Sequence, residues 1–501
     1  MVVEAQQALR LRPESSKLRR ELSRLDTVCL LIAAIVVIDT LGAVANGGAQ
    51  ALTWLLVVSL TFFVPAGLVI SELGAAFPQE GGAYVWTRLA FGRACGALTA
   101  FLYWIESPIW LGGSLTITSL TVFGEFFTPI EGIWRYVFAL GFIWTAIAMA
   151  IAPISKGKRV AATGAAVQVV LLTFFTVTVG LYALEHGVHG FGLGHLSPTW
   201  AAFIAVAPVL FYNLIGFELP SAAAGEMRDP QRDVPASIAR AGALTLVLYT
   251  VPIVAILAVV PADRITSLTG FIDAMKSVFT VYGGHVSPDG TVVLSGAGQA
   301  LGAVAAAGFI WVLLANGLTW VLGTGRVQAV ACLDGAGPRS LGRFSARLGT
   351  PVLMCLVSGG VATVTMAAAF AVSGSNAERY FSVVLSLSIV LLALSNLAVF
   401  PALVKLRRSH ADVERPFRIP GGSTGAWICS TVATAWAVFA ILAVLWPGLG
   451  TPDPDAALPD GFAGDRLGFV LAELVPLAVL LTAASAFACF GRRSKHASEV
   501  R

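Results

Sequence analysis

Apolar runs of at least 18 residues recur from residue 25 to residue 489, separated by short stretches where charge, proline and glycine collect. Each run is long enough to cross a hydrocarbon core about 30 Å thick. Boundaries drawn at the polar clusters predict twelve helices. They lie near 25–46, 50–72, 95–123, 134–153, 160–183, 199–224, 238–260, 299–331, 352–372, 379–404, 426–446 and 467–489. The fold class predicted is an all-α integral membrane protein. Two of these runs are broken. The first, CLLIAAIVVIDTLGAVANGG, carries Asp39 followed by Thr40, Leu41 and Gly42; the sixth, FIAVAPVLFYNLIGFELPSAAAGEM, carries Gly216, Phe217 and Glu218 between Pro208 and Pro220. A carboxylate at the bilayer centre costs roughly 2.5–3.5 kcal/mol on insertion scales. Glycine and proline there free backbone groups that lipid cannot satisfy, so the breaks must face protein or a wet cavity. Paired broken helices in corresponding halves of a chain point to a transporter's binding site.

Composition and charge sharpen the picture. Of 501 residues, 57% are hydrophobic and 12% charged, against about 25% charged in soluble domains. All but five of the 32 Lys and Arg residues fall in the N-terminal tail, the C-terminal tail or the loops after even-numbered helices; the exceptions are Arg135, Arg264, Lys276, Arg379 and Arg466. The positive-inside rule therefore places both termini in the cytoplasm, in a multi-pass protein of the plasma membrane. The net charge of +4 reflects those loops, and no nucleic-acid partner is expected. The basic, polar N-terminal tail lacks a signal-peptide cleavage pattern. The six cysteines lack metal-ligand or redox spacing and read as small buried hydrophobes. Neither a cofactor nor a metal is implied.

The third and eighth runs look longer than the rest. A repeat after five helices would pair helix 3 with helix 8 and broken helix 1 with broken helix 6. The organisation expected is a cytoplasmic tail (1–24), a first repeat (25–184, helices 1–5), an inverted second repeat (198–404, helices 6–10), two appended helices (426–489) and a C-terminal tail (490–501). The 262–296 segment is long enough for a small lid or amphipathic helix.

Four runs in this order carry a family resemblance: SELGAAFPQEGGAYVWTRLAFG at 71–92, GFELPSAAAGEMRDPQRDVPASI at 216–238, the 322–351 stretch containing GTGRVQAVACLDGAGP, and ERPFRIPGG at 414–422. Together they resemble the amino acid–polyamine–organocation (APC) permeases over nearly all of residues 25–447. The resemblance implies a LeuT-type fold, an alternating-access secondary transporter and no ATP-binding part. The chain is thus expected not to be an enzyme, and its substrate is expected to be an amino acid or a related amine.

By resemblance, substrate lies between the breaks of helices 1 and 6, with Thr40, Gly42, Gly216 and Phe217 around it. Tyr212, one turn before Gly216, holds the place of an aromatic gate, or is a core aromatic with its hydroxyl bonded. Glu218 resembles a proton-responsive coupling element; its alternative is a cap on unwound backbone. Trp311 resembles the cavity-lining aromatic of helix 8, or packs. Asn316 suits helix–helix hydrogen bonding. Gln168 holds the place where some sodium-independent relatives carry lysine. Helix 1 departs from the common Gly-Ser/Ala-Gly run, which puts a carboxylate contact in doubt, while Asp39 resembles the acid of a polyamine-uptake branch. Glu106, beside Tyr103 and Trp104, would cage an ammonium.

With every basic residue assigned to loops or helix ends, Asp39, Glu106 and Glu218 have no resident cation. Buried unpaired carboxylates must be protonated or receive a guest cation. This favours an amine-bearing substrate and a proton co-ion, or amino acid exchange. A polyamine carrier is the alternative within the class, and a nutrient sensor built on the same fold the alternative outside it.

Overall fold

The computed structural model describes residues 21–499, apart from 189–192, 261–264, 288–290, 374–375 and 460. Most of the N-terminal tail, residues 1–20, therefore lies outside the described residues. The chain is almost entirely helical, and ten helices among the described residues are long and apolar enough to cross a membrane. They are helix 1 (Arg24–Ala45), helix 2 (Gln50–Ala76), helix 4 (Ile133–Ile151), helix 5 (Ile154–His186) and helix 7 (Pro230–Val259). Helix 8 (Gly296–Leu333), helix 9 (Val352–Ser373), helix 10 (Ala377–Ser409), helix 11 (Gly422–Leu445) and helix 12 (Arg466–Glu499) complete them. The third and sixth predicted runs are irregular. Helix 3 spans Arg93–Trp110 and Thr116–Phe126 with a π-helical turn, Leu111–Leu115, between them. Helix 6 is Trp200–Asn213, followed by a non-helical stretch and a 3₁₀ segment, Leu219–Glu226.

Length does not single out helices 3 and 8 as the sequence pattern suggested. Helix 8 has 38 residues, but helices 5 and 10 have 33 each and helix 7 has 30. Boundaries drawn at the first charge cut helix 10 short, because its last turn carries Arg407 and Arg408, which suit a helix C-terminus. The helix starts follow local chemistry. Ser23 and Asp26 form a reciprocal capping box at helix 1, and the side chains of Thr199 and Asn376 cap helices 6 and 10.

Helices 1 and 10 are interior, with 83% and 78% of their most apolar windows buried; helix 12 is peripheral at 22%. Two polar segments fold further than their composition suggested. Residues Gly82–Phe91, between the second and third predicted helices, form a helix whose Tyr84 and Trp86 are fully buried. The 262–296 segment supplies an amphipathic helix, Gly270–Phe279, and also a small antiparallel hairpin, Gly284–Val286 with Val292–Leu294.

The basic face is sealed. Leu22 pairs with Met227 as a parallel bridge, its N–H donating to the Glu226 carbonyl at 2.9 Å. Arg24 meets Asp233 at 2.8 Å and Lys158 meets Asp26 at 3.0 Å. Arg326 does not lie in a loop, as its GTGR context suggested. It sits fully buried within helix 8, 3.0 Å from Glu80 and 3.2 Å from Glu226. Burial is the largest influence on Glu80, in the loop after helix 2, and lifts its carboxyl above the usual range against the pull of Arg326.

Close backbone approach fixes the π turn. A Cβ on Gly112 would stand 2.0 Å from the Ala362 carbonyl oxygen of helix 9, whereas one on Gly141 of helix 4 would meet nothing within 4 Å. Gly112→Ala is therefore expected to destabilise by about 1–3 kcal/mol or more. Gly141→Ala should be neutral or stabilise by up to about 1 kcal/mol. Thermal unfolding of the two variants in detergent micelles checks the contrast.

Candidate functional site

Helix 1 stops at Ile35 and restarts near Ile38, so its last four carbonyls lose their helical partners in the interior of the protein. Four side chains from three other helices replace them. Asn316 of helix 8 donates to the Ala33 carbonyl at 2.9 Å, and the Trp320 indole donates to Ala34 at 3.0 Å. The Tyr249 hydroxyl of helix 7 donates to Ile35 at 2.8 Å while accepting the Val37 N–H at 2.9 Å. The Gln168 amide of helix 5 donates to Val36. Each of these four side chains is buried. Gln168 and Asn316 thus hold unwound backbone.

Just past the break, Asp39 accepts from the Ser114 hydroxyl at 2.7 Å. The π turn of helix 3 creates this contact, since its extra residue re-aims Ser114. Thr116 bonds the Leu111 carbonyl and Tyr380 bonds that of Gly112, at 2.6 and 3.0 Å. Thr40 lies 2.9 Å from both the Val37 carbonyl and Asn213 Oδ1, tying the two broken helices together.

Helix 6 breaks at Gly216, whose φ of +124° only glycine adopts readily. A Cβ there would press on Ile35 and Trp320 at 3.2 and 3.4 Å, so the two breaks meet at this glycine. The Tyr212 hydroxyl donates to Glu106 Oε1 at 2.8 Å, and its ring packs 5.0 Å from that of Trp110. Tyr103 faces both Trp320, at 6.1 Å between rings, and Glu218, without closing a hydrogen bond of ordinary geometry to the acid.

Asp39, Glu106 and Glu218 are each at most 3% exposed. Each leaves one oxygen without a hydrogen-bond donor: Oδ1, Oε2 and Oε1 respectively. Among the described residues none of the three forms an ion pair. Asp39 lies in the first turn of the segment after the helix-1 break, and Glu218 is the N-cap of the segment after the helix-6 break. A cavity of about 300 Å³ opens on the face of the acidic 451–466 loop, and none of the three acids lines it. It reaches down to Ala43, Val206 and Ser386.

Three candidates sit elsewhere. Gly42 touches the outer connection, where a Cβ would lie 2.8 Å from the Ser267 carbonyl oxygen. The Phe217 ring turns away from the break and stacks on Phe63 of helix 2 at 4.6 Å. Trp311 is only half-buried. The helix-8 indole at the break is Trp320, nine residues on, which an α-helix carries to its opposite side. Ser114, Asn213, Tyr249 and Trp320 carry no local signature that marks them as site residues, apart from the Gly-Gly-Ser run at 112–114, which was the available signal for the first. Glu473 of helix 12 is likewise unmarked in the sequence; it is 1% exposed, with neither carboxyl oxygen hydrogen-bonded. Among the described residues no His, Cys, Asp and Glu cluster suits a metal.

The profile of a family described as amino acid permeases matches residues 22–458. A protein described as a probable agmatine/putrescine antiporter, from Lactococcus lactis, is 28% identical over 409 residues, which cover 80% of this chain and 83% of that one. An uncharacterized transporter of Legionella pneumophila is 27% identical over 420 residues, covering 81% and 85%. Among solved structures, the manganese transporter of Eremococcus coleocola superposes with a TM-score of 0.62 at 14% identity, over 93% of both chains. It shares the fold.

Removing a donor from the helix-1 break should leave a buried carbonyl unpaired, at about 1–3 kcal/mol each. Gln168→Leu and Tyr249→Phe are expected to lower the unfolding temperature, with Tyr249→Phe the more damaging because it strands both the Ile35 carbonyl and the Val37 N–H. Thermal unfolding of the purified variants measures it.

Proposed function

We propose that this chain, which belongs to the amino acid permease family, exchanges small organic amines across the membrane, with diamines as the favoured substrates. It is a membrane transporter and not an enzyme. The observation that carries the amine reading is the trio Asp39, Glu106 and Glu218, each buried with one oxygen unmet and no basic partner among the described residues. Carbonyls at a half-helix C-terminus can also receive a cation, but those of helix 1 are already taken by Asn316, Trp320, Tyr249 and Gln168. Recognition of a positive group therefore falls to the acids.

The second half of helix 1 bears on the rest of the substrate. Its N-terminal amides would suit a substrate carboxylate, yet the acidic side chain of Asp39 itself stands in that first turn. A guest without a carboxylate fits better. Two separated ammonium groups would neutralise two of the three acids, with Tyr212 and Trp110 stacking beside Glu106. The likeness to an agmatine/putrescine antiporter over most of both chains supports this substrate class and exchange as the mode. The description of the matching family supports a second reading, transport of amino acids.

On this reading helices 1–5 and 6–10 are inverted repeats in a twelve-helix chain, supported by two breaks that each place an acid at the start of a second half-helix. The cluster of basic residues supports a plasma-membrane protein with both termini in the cytoplasm. Glu218, beside Tyr103 and between the breaks, serves as the proton-sensitive element.

Proteoliposomes loaded with unlabelled putrescine should take up labelled putrescine or agmatine by counterflow. Asp39→Asn and Glu106→Gln should each abolish it, roughly 100-fold or more if a buried charge pair is lost. Uptake of neutral amino acids in place of diamines, surviving both substitutions, establishes the second reading. Ligand-induced stabilisation without counterflow would instead identify a sensor. In a separate measurement, Glu218→Gln should flatten the pH dependence of exchange; an unchanged profile removes Glu218 from coupling.

A further inference from the structure

We propose that a groove between helices 10 and 11 binds one anionic phospholipid, its phosphate held by Lys405 and Arg408 and one acyl chain lying along helix 11. The groove has a volume of about 750 Å³. Its helix-10 wall is Pro401, Val404, Lys405 and Arg408, the spacing of one helix face. The opposite wall runs from Trp427 to Val438, eleven residues or about 16 Å of helix. Apart from its basic mouth the lining is apolar or hydroxylic, and it lies on the outer surface of two membrane helices. That shape suits a hydrocarbon chain.

Charge at one end makes the groove more than a lipid-facing furrow. Basic residues gather where helix 10 ends, and their fates differ. Arg407 and Arg415 are both drawn to the buried Glu72, at 2.5 and 3.5 Å. Lys405 and Arg408 are exposed and have no acidic partner among the described residues. They are three residues apart, on one face, and both line the groove. Arg408 is braced over the Trp427 ring, its guanidinium carbon 5.4 Å from the centroid. This leaves the edge of the guanidinium free for a bidentate bond to phosphate.

A second observation is independent of charge. Ser430, one turn below Trp427, lines the groove; it is 3% exposed, and its hydroxyl has no hydrogen-bond partner. A hydroxyl so enclosed seeks a partner, and the ester or glycerol oxygens of a phospholipid lie about one helical turn below the phosphate. Basic pockets between membrane helices at the end rich in Lys and Arg bind anionic headgroups. The groove is apart from Asp39, Glu106 and Glu218, so this proposal stands or falls separately from the transport reading.

The test is native mass spectrometry of the full chain in detergent, titrated with phosphatidylglycerol and with phosphatidylcholine bearing the same acyl chains. Wild type should retain one phosphatidylglycerol in preference to phosphatidylcholine. The double variant Lys405→Ala/Arg408→Ala should weaken retention about 10–30-fold without lowering the unfolding temperature of the lipid-free protein, since both side chains are exposed. Ala435→Trp, which fills the middle of the groove and leaves both charges in place, should also block retention. Glycerol phosphate should not compete, which separates a lipid site from a bare phosphate site. Equal retention of the two lipids, undiminished binding in the double variant, undiminished binding in Ala435→Trp, or competition by glycerol phosphate would each overturn the proposal.

Discussion

The architecture depends on how the end of a helix is made tolerable inside a membrane protein. When helix 1 stops at Ile35, four carbonyls lose their partners where no bulk water is at hand. Each orphan would cost several kcal/mol in hydrocarbon, and four together would exceed the stability of most domains. Helices 5, 7 and 8 each send at least one donor to the break. These helices are therefore fixed relative to helix 1 by polar contacts as well as by packing, which alone drives association weakly between apolar surfaces in lipid.

That solution shapes the chemistry of the site. Because the carbonyls of the first half-helix are engaged, the negative potential available to a guest resides in side chains. Asp39 is steadied by Ser114 and Glu106 by Tyr212, so each acid has one oxygen anchored and one oxygen open. Anchoring leaves each of these side chains less conformational freedom to lose. The Thr40–Asn213 contact and the close approach at Gly216 bring the two breaks together.

The features legible in the sequence are those that depend on local composition. The spans, the two interruptions, the capping residues and the three unmatched acids can all be read from residue type and spacing. Tyr212 and Glu106 are each identifiable, but their bond joins residues 106 positions apart and no local pattern encodes it. Trp311 and Trp320 are both indoles in one apolar helix, and the choice between their faces depends on helix rotation set by packing. Phe217 sits beside a broken glycine yet points toward helix 2, since the positive-φ turn at Gly216 redirects the backbone beyond it. Arg326 resembles a loop residue because glycine and threonine flank it. A helix interior accepts it because Glu80 and Glu226, from other parts of the chain, are there to meet it.

The short parallel bridge between Leu22 and Met227 has a mechanical consequence. It clips the segment before helix 1 to the segment after helix 6, so these ends of both interrupted helices share one backbone joint. With Arg24 hooked to Asp233 and Lys158 to Asp26, neither end can swing outward alone. Displacing either segment therefore breaks backbone and side-chain contacts together.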